Sequence, residues 1–417
     1  GHGAGALFRA GARGGRPMTA TNRRAFALLF VCLLSVGVGQ SMLFSILPPA
    51  AREIGITPFQ VSTIFATSAF LWVFVSPWWG RRSDVSGRRK IILIGLLGYA
   101  ASMAALASVI RIGIERWLPA TVVYPLMIAA RCIFALVGSG TGPASQAYIA
   151  DRTSRSERTA GVALVSAAMG LGETVGPGLG AALASFGIVT PLYVASGMAV
   201  VSAWTIWTFL PESERVAEGR PARPPRLRVG DRRVLPFLAV VTALQAVRAT
   251  TIITLAFFLQ DTLHLDAHAT VQYSGVGFVV LAVAGLFSQL VIVQRYRPAP
   301  RAMMRAGVVL MFAAFLLFVF GHTWSIYLLA LACLGLGMGL VRPGAAAAAS
   351  LAVSPDEQGS VAGLLGGVSV IGNVVGPMLG TALYSFDRHG PHLLNAAIMA
   401  GMVVLVWTSQ RIRRAHV

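Results

Sequence analysis

The chain has 417 residues, 56% of them hydrophobic and only 12% charged. A water-soluble protein carries about 25% charged residues, so this chain has too little polar surface to coat a soluble globule. The formal net charge of +19 does not mark a nucleic-acid binder, because the positive residues are nearly all Arg, with Lys90 the single lysine, and they sit in short segments between apolar runs.

Residues 1–22 are rich in Gly, Ala and Arg and cannot build a core; they read as a disordered tail, with Met18 available as an initiator. No small-residue cleavage site follows the first apolar run, so no cleaved signal peptide is expected. A bilayer core about 30 Å thick needs roughly 20 apolar residues per helix. Six stretches meet that length in the first half: 25–47, 58–79, 91–110, 120–150, 160–186 and 188–210. Six more follow at 235–260, 270–294, 306–321, 325–353, 360–384 and 392–407. The ninth and twelfth are short, and the Gly-rich fourth and tenth are expected to bend. Between the two sets lies a polar segment, 211–234, with prolines and charges of both signs, which reads as a domain boundary. The expected organisation is a tail (1–22), a six-helix bundle (23–210), a linker (211–234), a second six-helix bundle (235–410) and a short tail (411–417).

Alternating the spans sorts the Lys and Arg residues into two compartments, 27 against 4, with Arg131, Arg248 and Arg342 inside spans. The minority compartment holds Arg52, Arg111, Arg116 and Arg388. The positive-inside rule then puts both termini and the linker in the cytoplasm, and an odd number of spans would scramble the alternation.

The halves are related in sequence. Gly172-Glu-Thr-Val-Gly-Pro-Gly-Leu-Gly180 aligns without a gap on Gly372-Asn-Val-Val-Gly-Pro-Met-Leu-Gly380, an offset of 200 residues that also pairs Pro143 with Pro343 and Glu157 with Glu357. Gly172, Gly176 and Gly180 fall on one helix face, as do Gly376 and Gly380 in the repeat, and small residues there let another helix approach closely. Pro177 and Pro377 each remove a backbone hydrogen bond and permit a bend, so this element is expected to serve as a hinge or seal near the boundary between the halves.

Several of these segments resemble a known family, the major facilitator superfamily, in its twelve-helix, tetracycline-efflux-like drug:proton antiporter branch. Gly80-Arg-Arg-Ser-Asp84-Val-Ser-Gly87-Arg88-Arg89-Lys90 is similar to its signature loop between helices 2 and 3. Gly172 to Gly180 is similar to its helix-5 antiporter motif, and Arg131 with the run from Gly138 to Asp151 resembles the drug exporters. The resemblance implies an all-α membrane fold of two pseudo-symmetric six-helix bundles. It also implies that Gly80, Asp84, Gly87, Arg88 and Arg89 latch the halves together on the cytoplasmic side, and that spans 1, 4, 7 and 10 line a central cavity. On physical grounds Gly80 and Gly87 permit tight turns. The chain departs from the family in helix 1, where Gln40 stands in a stretch that carries an acid in many drug:proton antiporters.

Ionisable groups inside a span are costly and usually face a cavity or a partner. Arg131, Arg248 and Arg342 are therefore candidate substrate contacts, with Gln40, Gln245 and Asn373 as polar companions. Three cavity arginines and little acid favour anionic or zwitterionic substrates. Glu173 is the one carboxylate read as deep in a span, and desolvation there would favour its protonated form, making it the candidate proton carrier. Gly138-Ser-Gly-Thr-Gly142 lacks the Lys and Ser/Thr of a phosphate loop. Cys32, Cys132 and Cys333 lie in apolar runs without metal spacing. No cofactor, metal site or catalytic constellation is expected, so the chain reads as no enzyme.

The function expected is secondary active transport in the inner membrane: proton-coupled efflux of drugs or small amphipathic or anionic molecules by a monomer. Its partners would be a small-molecule substrate, protons and membrane lipids, with no nucleic acid. A dedicated exporter of an endogenous siderophore or lipid-like product is the alternative, and a non-transporting scaffold or membrane enzyme a distant one.

Overall fold

The computed structural model describes residues 20–152, 158–212, 230–354 and 357–413. Most of the expected N-terminal tail and of the 211–234 linker, together with Glu157, lies outside the described residues. Twelve long helices account for nearly all of the rest, and no strand occurs among the described residues. In chain order they are α1 (Ala20–Ile54), α2 (Pro58–Ser86), α3 (Arg88–Ile114), α4 (Ala120–Asp151), α5 (Arg158–Ala184) and α6 (Thr190–Phe209), then α7 (Leu235–Leu263), α8 (Ala267–Tyr296), α9 (Pro300–Phe320), α10 (Trp324–Leu351), α11 (Gln358–Tyr384) and α12 (Gly390–Thr408). Eleven of them are long and apolar enough to cross a bilayer. The twelfth, α5, has 27 residues, about 40 Å at 1.5 Å per residue, which also suffices.

The helix boundaries follow local chemistry. Thr57 caps α2, its hydroxyl accepting from the Gln60 N–H while the Gln60 side chain accepts from Thr57 N–H at 2.9 Å, and Pro58 opens the helix. Asp266 caps α8 by accepting from Ala269 N–H at 2.6 Å. Gly87 ends α2 at φ +93°, a conformation that favours glycine. Gly80, expected in a turn, lies inside α2 instead, because that helix runs on to Ser86 and leaves Gly87 alone as the connection to α3. Of the two expected bends, α4 is interrupted by a 3-10 turn at Gly138–Gly140, whereas α10 passes through Pro343 as one helix. A π-helical stretch in α8, Ser288–Val293, was not anticipated.

Large apolar side chains such as Phe70, Phe74, Trp204, Trp207, Leu290 and Val404 stand exposed on the outside. Such a surface is stable only against lipid.

The first six helices pack chiefly on one another, through α1–α5, α3–α6, α3–α4 and α2–α4, and the last six do so through α7–α11, α9–α10, α8–α10 and α9–α12. The sets meet where α5 packs on α8, α2 on α11, and α1 on α7 and α8. The repeat is thus visible in three dimensions: α7–α11 repeats α1–α5, and α8 against α5 mirrors α2 against α11.

Glycine sets the closest of these contacts. A methyl group on Gly176 would lie 1.9 Å from the Ser41 hydroxyl and 2.4 Å from the Val38 carbonyl of α1. One on Gly376 would lie 2.4 Å from the Ala246 carbonyl of α7. The Ser41 hydroxyl also donates to the Gly172 carbonyl at 3.0 Å. The glycine faces therefore work inside each half rather than between the halves. The face of α5 turned to the other half is the next one round, where Gln272 of α8 donates to the Ala181 carbonyl at 2.6 Å.

Overpacking a tight contact costs about 1–3 kcal/mol or more. Gly176→Leu should therefore lower the melting temperature of the purified protein by about 5 °C or more. Gly170→Leu on the same helix, where an added Cβ meets nothing within 4 Å and the residue is exposed, should leave it within about 1 °C.

Candidate transport pathway and gate

Two polar clusters form inside the spans. In the first, Arg131 of α4 is almost wholly buried, at 4% exposure. It donates to the Gln40 side chain of α1 at 3.4 Å, and its guanidinium lies over the rings of Phe65 (5.7 Å) and Phe134 (5.1 Å). Among the described residues its Nε and the Gln40 Nε2 have no partner. No carboxylate contacts Arg131 among the described residues. Rings stabilise a cation by about 0.5–2 kcal/mol, well short of what a buried charge loses by leaving water.

The second cluster lies on α7 and α11. Arg248 donates to the Asn373 side chain at 3.5 Å, at the limit of a hydrogen bond, and Glu173 and Arg342 lie within its electrostatic range. Gln245 sits one turn away on α7, beside the close contact with Gly372. Asn373, at the repeat position of Glu173, thus faces an arginine of its own half. Glu173 is exposed rather than enclosed between helices, and Arg342 is exposed as well. Helix geometry explains Glu173: at 100° per residue it is turned away from the buried Gly172 face. Its expected enclosure is not observed, and what recommends it is its neighbour Arg248. No hydrogen bond or ion pair between described residues joins the two clusters.

The loop resembling the family signature is tied into its own half. Arg88 bridges Asp84 (2.5 Å) and Asp151 at the end of α4 (3.0 Å), and donates to the Ser83 hydroxyl at 2.6 Å. The Arg89 guanidinium donates to the Trp207 carbonyl of α6, and its N–H to the Glu212 carboxylate at 3.3 Å. A corresponding cluster ties the start of α7 to the α10–α11 connection, where Arg233 binds Asp231 and Glu357, both at 2.8 Å. Arg233 and the Ser354 N–H and hydroxyl hold the Glu357 carboxyl down at about 2. Asp84 does not reach the second half in this structure.

The halves are instead pinned at the opposite end, through residues that sequence reasoning missed. Arg52, at the end of α1, forms a two-pronged ion pair with Asp261 near the end of α7, its second prong 3.0 Å long. Arg52 also stacks over Phe257 at 5.2 Å. The Tyr384 hydroxyl of α11 donates to the same carboxylate at 2.5 Å, and Arg388 donates to the Asp261 carbonyl at 3.4 Å. One turn inward, the Thr381 hydroxyl bonds the Ser62 hydroxyl of α2 at 2.8 Å. Every hydrogen bond between described residues of the two halves lies at this end. Sequence reading counted Arg52 and Arg388 only as loop charges. The available signal was that the minority compartment holds few charges, yet an acid and two of its arginines fall at span ends there.

A family model described as Major Facilitator Superfamily matches residues 29–299 and again 291–416. The chain belongs to the Major Facilitator Superfamily. It is 26% identical over 397 residues to "Multidrug resistance protein 2" of Bacillus subtilis, covering 92% of this chain and 94% of that one. It is also 26% identical over 393 residues to "Tetracycline resistance protein, class C" of Escherichia coli, covering 88% and 91%. In structure it is similar to the human organic anion transporter MFSD10 (TETRAN), with a TM-score of 0.62, 21% identity, and coverage of 92% of this chain and 99% of that one. The protein is thus a multi-pass membrane transporter and no enzyme. In a major facilitator fold, contacts confined to one end of the two bundles define a state closed at that end.

Arg52 and Asp261 are each about a third exposed, which limits such a pair to about 1 kcal/mol, a roughly fivefold shift in population. In a background without Cys32, Cys132 and Cys333, Ser62→Cys with Thr381→Cys should cross-link readily. Adding Asp261→Asn should slow that cross-linking about fivefold; an unchanged rate would show that the ion pair does not hold the halves together.

Proposed function

We propose that this transporter exports small amphipathic molecules carrying an anionic or zwitterionic group, driven by protons, by alternating access across the inner membrane. The carrying observation is Arg131: a buried cation that meets two rings and an amide but no carboxylate. An anionic group on the substrate would supply the missing partner and so bind where the protein alone leaves charge uncompensated. Arg248 and Arg342 extend the positive field on the other half. A human organic anion transporter has the same fold, so anions are within its repertoire, and the drug-resistance relatives support efflux.

In this reading both termini and the 211–234 linker are cytoplasmic, as the 27-to-4 distribution of basic residues favours. The Arg52–Asp261 gate is then periplasmic, and the structure is inward-facing. Substrate enters from the cytoplasm, the gate opens, and the signature loop with Asp84 and Arg88 re-forms its contacts against the second half to close the other side. Glu173, which lies within electrostatic range of Arg248, is the residue assigned the coupling proton.

The test combines three measurements on proteoliposomes and purified protein: melting temperature, substrate affinity and flux driven by an imposed pH gradient. A charge-assisted hydrogen bond contributes about 1.5–3 kcal/mol, so Arg131→Ala should weaken the Kd for an anionic substrate about 10–100-fold and leave that for an organic cation unchanged. Glu173→Gln should bind substrate at least as well as wild type and lose gradient-driven flux. A stable Glu173→Gln protein that binds and still exports at the wild-type rate would remove Glu173 from the mechanism.

A further inference from the structure

A cavity of about 500 Å³ lies between α1 and α6, away from both polar clusters. Its α1 wall is the stripe Leu28, Val31 and Ser35, and its α6 wall runs from Val194 through Val201 to Thr205. The wall hydroxyls are turned into their own helices: Ser35 donates to the Val31 carbonyl at 2.9 Å and Thr205 to the Val201 carbonyl at 2.7 Å. Apart from the Ser202 hydroxyl and the Cys32 thiol, what remains facing the cavity is hydrocarbon. From Val194 to Thr205 the helix rises about 16 Å, half of a bilayer core about 30 Å thick. The groove is therefore about as long as one leaflet is deep.

Its mouth is at the end of the molecule that carries the basic loops. Arg24 lies one turn before Leu28 on the same helix face and is exposed, as is Arg23 beside it. Trp204 and Trp207 are exposed on α6 at the same level, where aromatic side chains mark the lipid headgroup region. The nearest acid in sequence at that end of α6, Glu212, is engaged by the Arg89 N–H. We propose that this groove holds one acyl chain of an anionic phospholipid of that leaflet, with the headgroup phosphate on Arg23 and Arg24. A largely hydrocarbon channel of one-leaflet length under a pair of exposed arginines fits a single lipid, chain and headgroup together. A basic residue near the headgroups favours anionic lipid by about fivefold, so two such residues supply the selectivity that chain packing alone cannot.

Gly197 allows a clean test. It lines the groove, and a Cβ added there meets no protein atom within 4 Å, so a leucine at this position would project into the groove. The full-length protein, purified in detergent, is mixed with phosphatidylglycerol or phosphatidylethanolamine of matched acyl chains, and retained lipid is counted by native mass spectrometry. Wild type should retain one lipid and prefer phosphatidylglycerol at least fivefold. Gly197→Leu should keep the wild-type melting temperature while retaining at least fivefold less of either lipid. The double variant Arg23→Ala, Arg24→Ala should still retain lipid but lose the preference. Wild-type retention by Gly197→Leu, an unchanged preference in the double variant, or no retention by wild type would each overturn the assignment.

Discussion

Lipid tails are as apolar as the outer surfaces of the helices, so a helix gains little from leaving lipid for protein unless backbones come close enough to pack. In this chain that closeness rests on two glycine faces. Gly172, Gly176 and Gly180 let α5 settle on α1, and Gly372, Gly376 and Gly380 let α11 settle on α7. Neither contact has room for one added carbon. Each half is thereby fixed as a unit, and the remaining faces of α5 and α11 are left to meet α8 and α2 of the other half. Between the halves one close glycine contact, Gly275 of α8 on Ala181 and Pro177 of α5, is joined by side-chain hydrogen bonds and an ion pair gathered at one end. Stiff packing within halves and breakable polar contacts between them are what a rocking motion requires.

The buried polar residues follow from the same economy. A membrane protein keeps an intramembrane arginine only where something offsets its desolvation. For Arg131 the protein supplies two aromatic faces and one long hydrogen bond, and for Arg248 an amide and a carboxylate within electrostatic range. The first cation is the less compensated, which is why substrate charge is assigned to it. The acid near Arg248, Glu173, belongs to α5 of the first half, so the proposed exchange between proton and substrate falls at the boundary between the halves. In the proposed mechanism α1 would link binding to gating, since it carries Gln40 beside Arg131, Ser41 against the Gly172 carbonyl, and Arg52 in the ion pair with Asp261.

Span positions, their number and the repeat were readable because bilayer thickness and hydropathy set them locally. Every expected span has a helix, and only the ends moved; α9 starts at Pro300 rather than 306, since a proline can open a helix there. The glycine faces were readable as packing surfaces, but not their partners, because spacing says nothing of which helix arrives. Helix α5 does lie at the boundary between the halves, packed on α8, while its glycines face α1 of its own half. Gly80 was misplaced for a local reason: the signature segment looks polar and loop-like, yet α2 continues through it. The gate was invisible because Arg52 and Asp261 are 209 residues apart and each, alone, reads as an ordinary charge at a span end. Glu173 was found, but its exposure was not, since the single 100° step from Gly172 decides it.

In the proposed cycle two rigid halves exchange closure between their ends, and distances between exposed sites measure that directly. Spin labels at Phe186→Cys and Phe386→Cys report the gated end, because both residues are exposed there and are equivalent in the repeat; Val85→Cys and Tyr296→Cys report the opposite end. With a transported anionic substrate and a pH gradient, the first distance should lengthen as the second shortens, while a pair placed within one half stays constant. Distances that change at one end only, or that change as much within a half as between halves, would contradict it.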